Sequence, residues 1–363
     1  MNHPLFSFQR SKTLLLEKFR LYFPTFRYIK VLDAFFYADP KSGIWKIDSR
    51  NLILKKTIKI EFSKKLYNEF QTQISNDEEN KFIRDIFSLK DALDEILKWL
   101  QQSKHVKTFI NELKNQISIN DLSYFNVDPN LILFKNDVVI DLRSKRVVNV
   151  HWTDMIANNQ QLGVSFEPED NDKIATLSDI FNEIIVCNES KDNFFKHLFK
   201  SLSGFKSKKF MLNFGGNYKT IIMDIFVKIC GTYGYQTSDK MIKSFEFCEE
   251  MDWDTYKESR VIVIGIETLK QVNIMKALIG SHCYHRRIYG SSNDATPFKA
   301  TFFVNCDQIV VENVDHVDYT MEHRMLKTQF RTDTDVKFEI LFNDKFVTEY
   351  GTQLIHYLFK FSD

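Results

Sequence analysis

Glycine, proline, cysteine and tryptophan are all scarce in this chain, at 11, 6, 5 and 4 of 363 residues, beside 34 phenylalanines. With abundant Lys, Asn and Ile, this is the bias of an AT-rich coding sequence, a matter of composition and not of mechanism. The cysteines, Cys187, Cys230, Cys248, Cys283 and Cys306, are odd in number and follow no framework spacing. That excludes a disulfide scaffold and predicts free thiols in a reducing compartment. Net charge is nearly absent too: 49 Lys and Arg against 48 Asp and Glu leave a formal +1. No overall field draws the chain to nucleic acid or to an acidic membrane, so any polyanion site must be a local patch. Long apolar runs are missing as well. There is no stretch of about eighteen apolar residues and no basic-then-apolar leader, so a soluble, intracellular protein without a membrane partner is expected. What the chain does have is apolar content, 44% of its residues, enough over this length to bury the cores of two or three domains.

Residues 1–120 read as a helical N-terminal region. Apolar residues recur there at three and four in Phe82-Ile83-Ile86-Phe87 and in Leu93-Ile96-Leu97-Leu100. Residues 121–170 read as a small hairpin-containing segment and linker. Leu131-Ile132-Leu133-Phe134 and Val138-Val139-Ile140-Asp141-Leu142 flank the turn-forming Lys135-Asn136-Asp137, and a third short strand fits Val147 to Val150. The polar run Glu167 to Asp172 breaks the periodicity and is the best linker candidate. Residues 171–204 return to a helical pattern, with Phe194-Phe195-Leu198-Phe199 on one face, and residues 205–335 form the segment that carries chemistry, ahead of a C-terminal segment at 336–363.

Within 205–335 the short apolar run Lys209-Phe210-Met211-Leu212 enters Asn213-Phe214-Gly215-Gly216-Asn217-Tyr218-Lys219-Thr220, and a helical pattern follows from Ile221. A strand, a glycine turn and a helix carrying Lys-Thr are the parts of a phosphate-binding P-loop. Glycines let backbone N–H groups wrap a phosphate, a Lys neutralises it, and a hydroxyl holds Mg²⁺. The usual pattern has Gly six residues and one residue before the Lys, where this chain has Asn213 and Tyr218. Read alone, the stretch fits a Gly-Gly turn ahead of a helix with a surface Lys equally well. Further on, the β-branched run Val261-Ile262-Val263-Ile264 ends at Gly265-Ile266-Glu267, and Thr301-Phe302-Phe303-Val304 closes on Asn305. Such runs belong in parallel sheets. A carboxylate at one strand exit can serve Mg²⁺ or the attacking water, and an amide at the next can orient that water. Either polar residue alone reads equally as a solvated strand end.

In this order the motifs resemble those of the superfamily 3 helicases, in particular the helicase part of poxvirus-type and phage-type primase–helicases of large DNA viruses, phages and plasmids. Gly216-Asn217-Tyr218-Lys219-Thr220 is similar to the family's phosphate loop except at Tyr218. Arg260 to Glu267 resembles its second motif, and Thr301 to Asn305 its third, although the His-x-Pro that often follows is replaced by Asp307 and Gln308. Met275 to His282, then Arg287-Ile288-Tyr289 and Pro297-Phe298-Lys299, resembles the DNA-contacting segment, with Ser281 and His282 in place of a Gly and an Asp. His323-Arg324-Met325-Leu326, with Phe330 beyond, resembles the segment that supplies an arginine finger. Upstream, Leu133 to Leu142 resembles the family's Phe-x-Asn-Gly-Val-x-Asp-Leu hairpin.

The resemblance implies an α/β fold with an AAA+ type P-loop core around a central parallel sheet, preceded by the helical region and the hairpin segment. It implies ATP and Mg²⁺ as cofactors, held by Gly215, Gly216, Asn217, Lys219 and Thr220, with Thr220 and Glu267 facing the metal. Glu267 and Asn305 would act on water, and Arg324 on a neighbouring subunit's nucleotide in a homo-oligomer, a hexameric ring. Lys276, Arg286, Arg287 and Lys299 would contact single-stranded DNA; the plainer reading of Arg286-Arg287 is a solvated loop. The implied function is an ATP-dependent replicative DNA helicase, the alternative an ATPase-deficient DNA-binding accessory subunit. Residues 1–120 hold neither spaced carboxylates nor Cys/His ligand sets, so no primase activity is expected and a separate primase or polymerase is the natural partner. Ser281-His282-Cys283-Tyr284-His285 has no matching second cluster and structural zinc needs four ligands, so no zinc is expected. Tyr233 and Tyr235 are assigned to loop packing.

Overall fold

The apolar repeats of the N-terminal region do form helices, but they share their core with a sheet that no repeat announces. The computed structural model describes residues 8–77, 83–120, 125–205, 207–238, 259–268, 279, 300–308, 323–332 and 345–362. The chain divides into two units, Met1–Val127 with Val150–Asn158, and Asp128–Asn149 with Asn159–Asp363. The first contains α1 (Phe8–Tyr22), β1 (Phe26–Ile29), β2 (Ala34–Ala38), β3 (Trp45–Ile47), α2 (Leu52–Lys56), α3 (Ser63–Asp77), α4 (Ile83–Gln101), α5 (Ser103–Gln116) and β4 (Ser118–Ile119). A wider π-type turn, Thr57–Phe62, joins α2 to α3. The strands lie in the order β3-β2-β1-β4, antiparallel except for the β1–β4 pair. At two to five residues each they are too short to print a period of their own. Phe19, Phe62 and Phe109, all buried, meet at ring separations of 5.2 to 6.0 Å and centre the helical core. Asp48, buried ahead of α2, accepts from the N–H groups of Ile53 and Leu54 at 2.9 and 2.7 Å and so caps that helix.

The second unit opens with β5 (Leu131–Leu133), β6 (Val139–Asp141) and β7 (Arg146–Val148), an antiparallel meander in that order. The expected turn sits between β5 and β6: Asp137 takes φ +64° and the Phe134 N–H donates to the Val138 carbonyl at 2.8 Å. Two helices follow, α6 (Asn171–Ile184) and α7 (Asn188–Leu202). The polar run from Glu167 to Asp172 is held rather than loose. Asp170 caps α6 by accepting from the N–H groups of Asp172 and Lys173, and Gln353 accepts from the Asp170 N–H at 2.8 Å and donates to the Pro168 carbonyl at 2.9 Å.

The core of this unit is β8 (Phe210–Gly215), α8 (Tyr218–Cys230), β9 (Gly234–Ser238), β10 (Val261–Thr268), β11 (Thr301–Gln308) and β12 (Met325–Phe330), followed by α9 (Phe346–Leu358), which carries Gln353. The strands make one sheet in the order β12-β8-β11-β10-β9, every pair parallel. Met211, Leu212, Ile262, Val263, Ile264, Phe302, Phe303 and Val304 are fully buried, as strands covered on both faces require. Strands consecutive in the chain are not neighbours here: β11 and β10 lie between β8 and β9, so the connections cross over and β8 ends up inside the sheet. This is an α/β fold with a parallel sheet, helices and a small antiparallel sheet. Among the described residues no helix is long and apolar enough to cross a membrane.

Candidate functional site

Along one face of the parallel sheet the side chains change from apolar to amide to charged as the strands run toward their exits. Val263, Phe303 and Met211 are in register across β10, β11 and β8, and all are fully buried. Two residues on, the same face carries Gly265, Asn305 and Asn213 in register, with Thr328 of β12 beside Asn213. Two residues further stand Glu267 and Asp307, side by side between the rungs Ile266–Cys306 and Thr268–Gln308, and Gly215 paired with Phe330. Period-2 alternation within strands is enough to put these residues on one face.

The amide row is almost wholly buried. Asn213 is 0% and Asn305 5% exposed, and the Asn213 Nδ2 donates to the Asn305 Oδ1 at 3.0 Å. The Asn213 Oδ1 is buried without a hydrogen-bond partner among the described residues. Above this row, in the first turn of α8, lies Lys219, only 2% exposed. Its ammonium donates to the Gly215 carbonyl at 3.2 Å and pairs with the Asp307 Oδ1 at 2.9 Å. The Asp307 side chain is 67% exposed, so the cation is buried while its counterion stands in water. Asp307 recovers its hydration on leaving but Lys219 does not, so this carboxylate can be exchanged for another anion rather than simply released. Thr220 and Asn217 are exposed at the same helix start.

The turn between β8 and α8 is tighter than the sequence pattern suggests. Asn213 lies inside β8, which runs on to Gly215 because its whole length pairs with β12, and α8 begins at Tyr218 rather than Ile221. Only Gly216 and Asn217 lie between. Gly215 takes φ +97°, and a Cβ there would fall 2.2 Å from the Phe330 carbonyl oxygen; at Gly216 it would fall 1.9 Å from that of Arg331. The Gly216 N–H donates to the Phe330 carbonyl at 3.2 Å. Both glycines are therefore required by the close passage of β12, independently of any ligand. Tyr218, half-buried, packs against the hydrophobic core of the unit.

Glu267 is exposed at the exit of β10. Arg324 is not gathered into this cluster. It stands just before β12, where its carbonyl accepts from the Phe210 N–H at 2.9 Å, at the strand-start end of the sheet. A six-residue strand separates that end from Lys219, a span of about 20 Å. Lys276, Arg286, Arg287 and Lys299, and the histidines near them, lie outside the described residues. Among the described residues no group of three or more His, Cys, Asp or Glu could hold a metal ion by itself. The residue that sequence reasoning missed is Asp307. It entered only as a departure from the family's His-x-Pro, although its place two residues after Asn305 on one strand puts both on the same face.

No family model matches the chain, and no curated protein does either. Solved structures similar to it include the A-form apo C-terminal region of NrS-1, at 10% identity and TM-score 0.39, over 54% of this chain and 47% of that one. Another A-form apo structure of that region (305-718) matches at 11% identity and TM-score 0.33 over 64% of each chain. The JCV helicase matches at 14% identity and TM-score 0.30, over 46% of this chain and 49% of that one. The chain thus spans from about half to just under two thirds of the length of the solved chains it matches.

Proposed function

We propose that the second unit is an ATP-dependent DNA motor of the superfamily 3 helicase type, acting in DNA replication as a hexameric ring on single-stranded DNA. The observation that carries the reading is the buried Lys219 ammonium at the start of a helix, set against a displaceable exposed carboxylate, with Asn305 and Glu267 on the adjoining strand ends. A cation at a helix N-terminus beside strand exits suits a phosphate group.

The residues present fit a magnesium nucleotide by their chemistry. Lys219 offers positive charge, the 13-residue α8 presents its positive end, and the exposed Thr220 hydroxyl and Glu267 carboxylate are hard oxygen donors of the kind Mg²⁺ prefers. When bound, the nucleotide supplies the phosphoanhydride bond whose hydrolysis drives movement, and Mg²⁺ offsets its charge. The chain's own part is positional and acid–base. Lys219 exchanges Asp307 for a phosphate oxygen, Asn305 is held by Asn213 so that its amide can orient a water, and Glu267 takes a proton from that water on a carboxylate oxygen. Arg324, remote from Lys219 in its own chain, serves the site of the adjacent subunit, while Lys276, Arg286, Arg287 and Lys299 grip DNA phosphates in the ring.

The test is ATP hydrolysis with and without single-stranded DNA, comparing the native chain with Lys219→Ala. DNA-stimulated turnover abolished by the substitution is expected; equal turnover in both proteins would remove Lys219 from the chemistry. A specific observation favours a second reading, an ATPase-deficient accessory subunit that keeps its hold on DNA. Only Gly216 and Asn217 separate β8 from α8, and Lys219 already has its counterion. That reading expects no turnover from the native chain together with salt-sensitive DNA binding.

A further inference from the structure

Two segments of the N-terminal unit contain no acid at all. From Arg50 to Ile60 the charged residues are Arg50, Lys55, Lys56 and Lys59; from Ile96 to Asn111 they are Lys98, Lys104 and Lys107, with His105. The fold brings these segments together. The Gln101 Nε2, at the end of α4, donates to the Lys59 carbonyl at 2.7 Å, and the Lys59 ammonium reaches the Ser103 hydroxyl at 3.4 Å. The π-type turn between α2 and α3 buries Thr57, Ile58 and Phe62 and leaves the Lys59 ammonium directed at the start of α5. Lys55, Lys56, Lys98, Lys104 and Lys107 are exposed, and Lys59 is half-buried. The contacts made by the Lys55 and Lys59 ammonium groups are with the Arg50 carbonyl and the Ser103 hydroxyl, neither of which is an anion.

In a chain whose charges nearly cancel, these two segments gather six lysines at one joint, with the exposed Glu61, Asp94 and Glu95 just beyond their ends. Like charges gathered this way repel one another, and the arrangement becomes favourable when a polyanion covers it. The rest of the face narrows the choice of polyanion. Gln101, Gln102, Ser103 and Thr108 alternate with the lysines and are hydrogen-bonders suited to phosphate and sugar oxygens. At the α4–α5 joint the Trp99 and His105 rings stack at 5.1 Å and 17°, both half-buried, a flat aromatic ledge beside the lysines. Lysines for a backbone with an aromatic ledge for bases are the components of a single-strand binding surface. The exposed Ile53 and Ile60 on the same helical stretch leave an anionic bilayer as the competing occupant, but the amide and hydroxyl groups between the lysines favour nucleic acid.

We infer that the N-terminal unit carries its own sequence-independent site for single-stranded nucleic acid, formed by Lys55, Lys56 and Lys59 of the α2–α3 stretch with Lys98, Lys104 and Lys107 of α4 and α5. This site shares no residue with the Lys219 cluster and does not depend on ATP chemistry. The test uses the full chain with all four of Lys55→Gln, Lys56→Gln, Lys104→Gln and Lys107→Gln. These side chains are exposed, so thermal melting should be unchanged, while Lys59 and its hydrogen bond are left in place. A control carries Lys41→Gln and Lys196→Gln, also exposed. Fluorescence anisotropy of a labelled single-stranded oligonucleotide, read across a salt series, should show the quadruple variant binding at least about tenfold more weakly. The slope of log affinity against log salt should become shallower by about 3, and the control should follow the native chain. Unchanged affinity and slope in the quadruple variant, or no DNA binding by the native chain, would overturn the inference. So would a variant that binds DNA normally but loses binding to phosphatidylserine vesicles, which would assign the face to a membrane. A native chain with no ATPase activity but with this lysine-dependent binding would sink the motor and leave the inference standing.

Discussion

Two buried cations occupy opposite ends of the parallel sheet, and they are held in opposite ways. Arg260, 4% exposed at the start of β10, donates through Nη1 to the carbonyls of Leu202 and Pro129 at 2.7 and 3.1 Å, and through Nη2 to that of Leu131 at 3.1 Å. Its guanidinium lies 4.4 Å from the centre of the Tyr233 ring, and burial draws its pKa below the ordinary value while leaving it charged. Every contact is neutral and fixed, tying β10 to the β5 segment and to the end of α7. Lys219, at the exit end, has one carbonyl and one carboxylate, and the carboxylate is mostly in water. A planar fork seated on carbonyls is a rivet; a point charge with an exposed partner is available for exchange.

The comparison is broken most directly by truncating each cation in turn and measuring urea unfolding. Arg260→Ala removes the guanidinium from the Leu202 and Leu131 carbonyls, while that of Pro129 keeps the Gly204 N–H, and should cost about 3 to 5 kcal/mol, with Arg260→Lys recovering little because one ammonium cannot reproduce the fork. Lys219→Ala relieves a desolvated charge and frees a carboxylate that water already reaches, so a change within about 1 kcal/mol is expected. If the two substitutions cost the same, the distinction between rivet and exchangeable charge fails.

Glycines at the two strand exits sharpen it next. At Gly216 an added methyl overlaps the Arg331 carbonyl, whereas at Gly265 the nearest atom to a built Cβ is the Thr237 oxygen at 3.9 Å. Gly216→Ala should destabilise by about 1 to 3 kcal/mol and Gly265→Ala should be neutral. Equal melting temperatures for the two variants would mean that the close passage of β12 does not constrain the turn.

The smallest expected effect concerns His197 on α7, which packs against Phe303 of the sheet at 5.1 Å and is 3% exposed, with its Nε2 unpartnered among the described residues. Burial, the main cause, lowers its pKa to about 3, well below the ordinary 6.5. The unfolded chain therefore binds a proton that the folded chain refuses between those values. The contribution of neutral His197 is complete above pH 6.5 and is lost as pH falls toward 3. Unfolding at pH 5.5 should show a loss of about 1 kcal/mol relative to pH 7.5 that His197→Gln does not share. A native chain and variant with the same pH profile would contradict this.

Much of the second unit can be read along the chain, and the reasons are local. Val261 to Ile264 and Thr301 to Val304 are apolar runs ending in single polar residues, and Lys135-Asn136-Asp137 has turn chemistry between two β-rich runs. Asn213 and Tyr218 mislead because a motif counts positions, whereas the length of β8 is set by pairing with β12, more than 100 residues away. The sheet of the first unit is illegible for a related reason: β4 is two residues long and exists only because Tyr28 and Ile29 offer it an edge.

Sequence by itself determined which segments are apolar enough to be strands, which residues stand at their exits, and that a helix follows the glycine turn, since period and turn chemistry act over a few residues. Strand order, the partnership of Lys219 with Asp307, the distance of Arg324 from both, and the meeting of Lys59 with Ser103 were decided only by tertiary structure. Each depends on which distant segments share a core, and burial is a property of the assembled fold rather than of any stretch of chain.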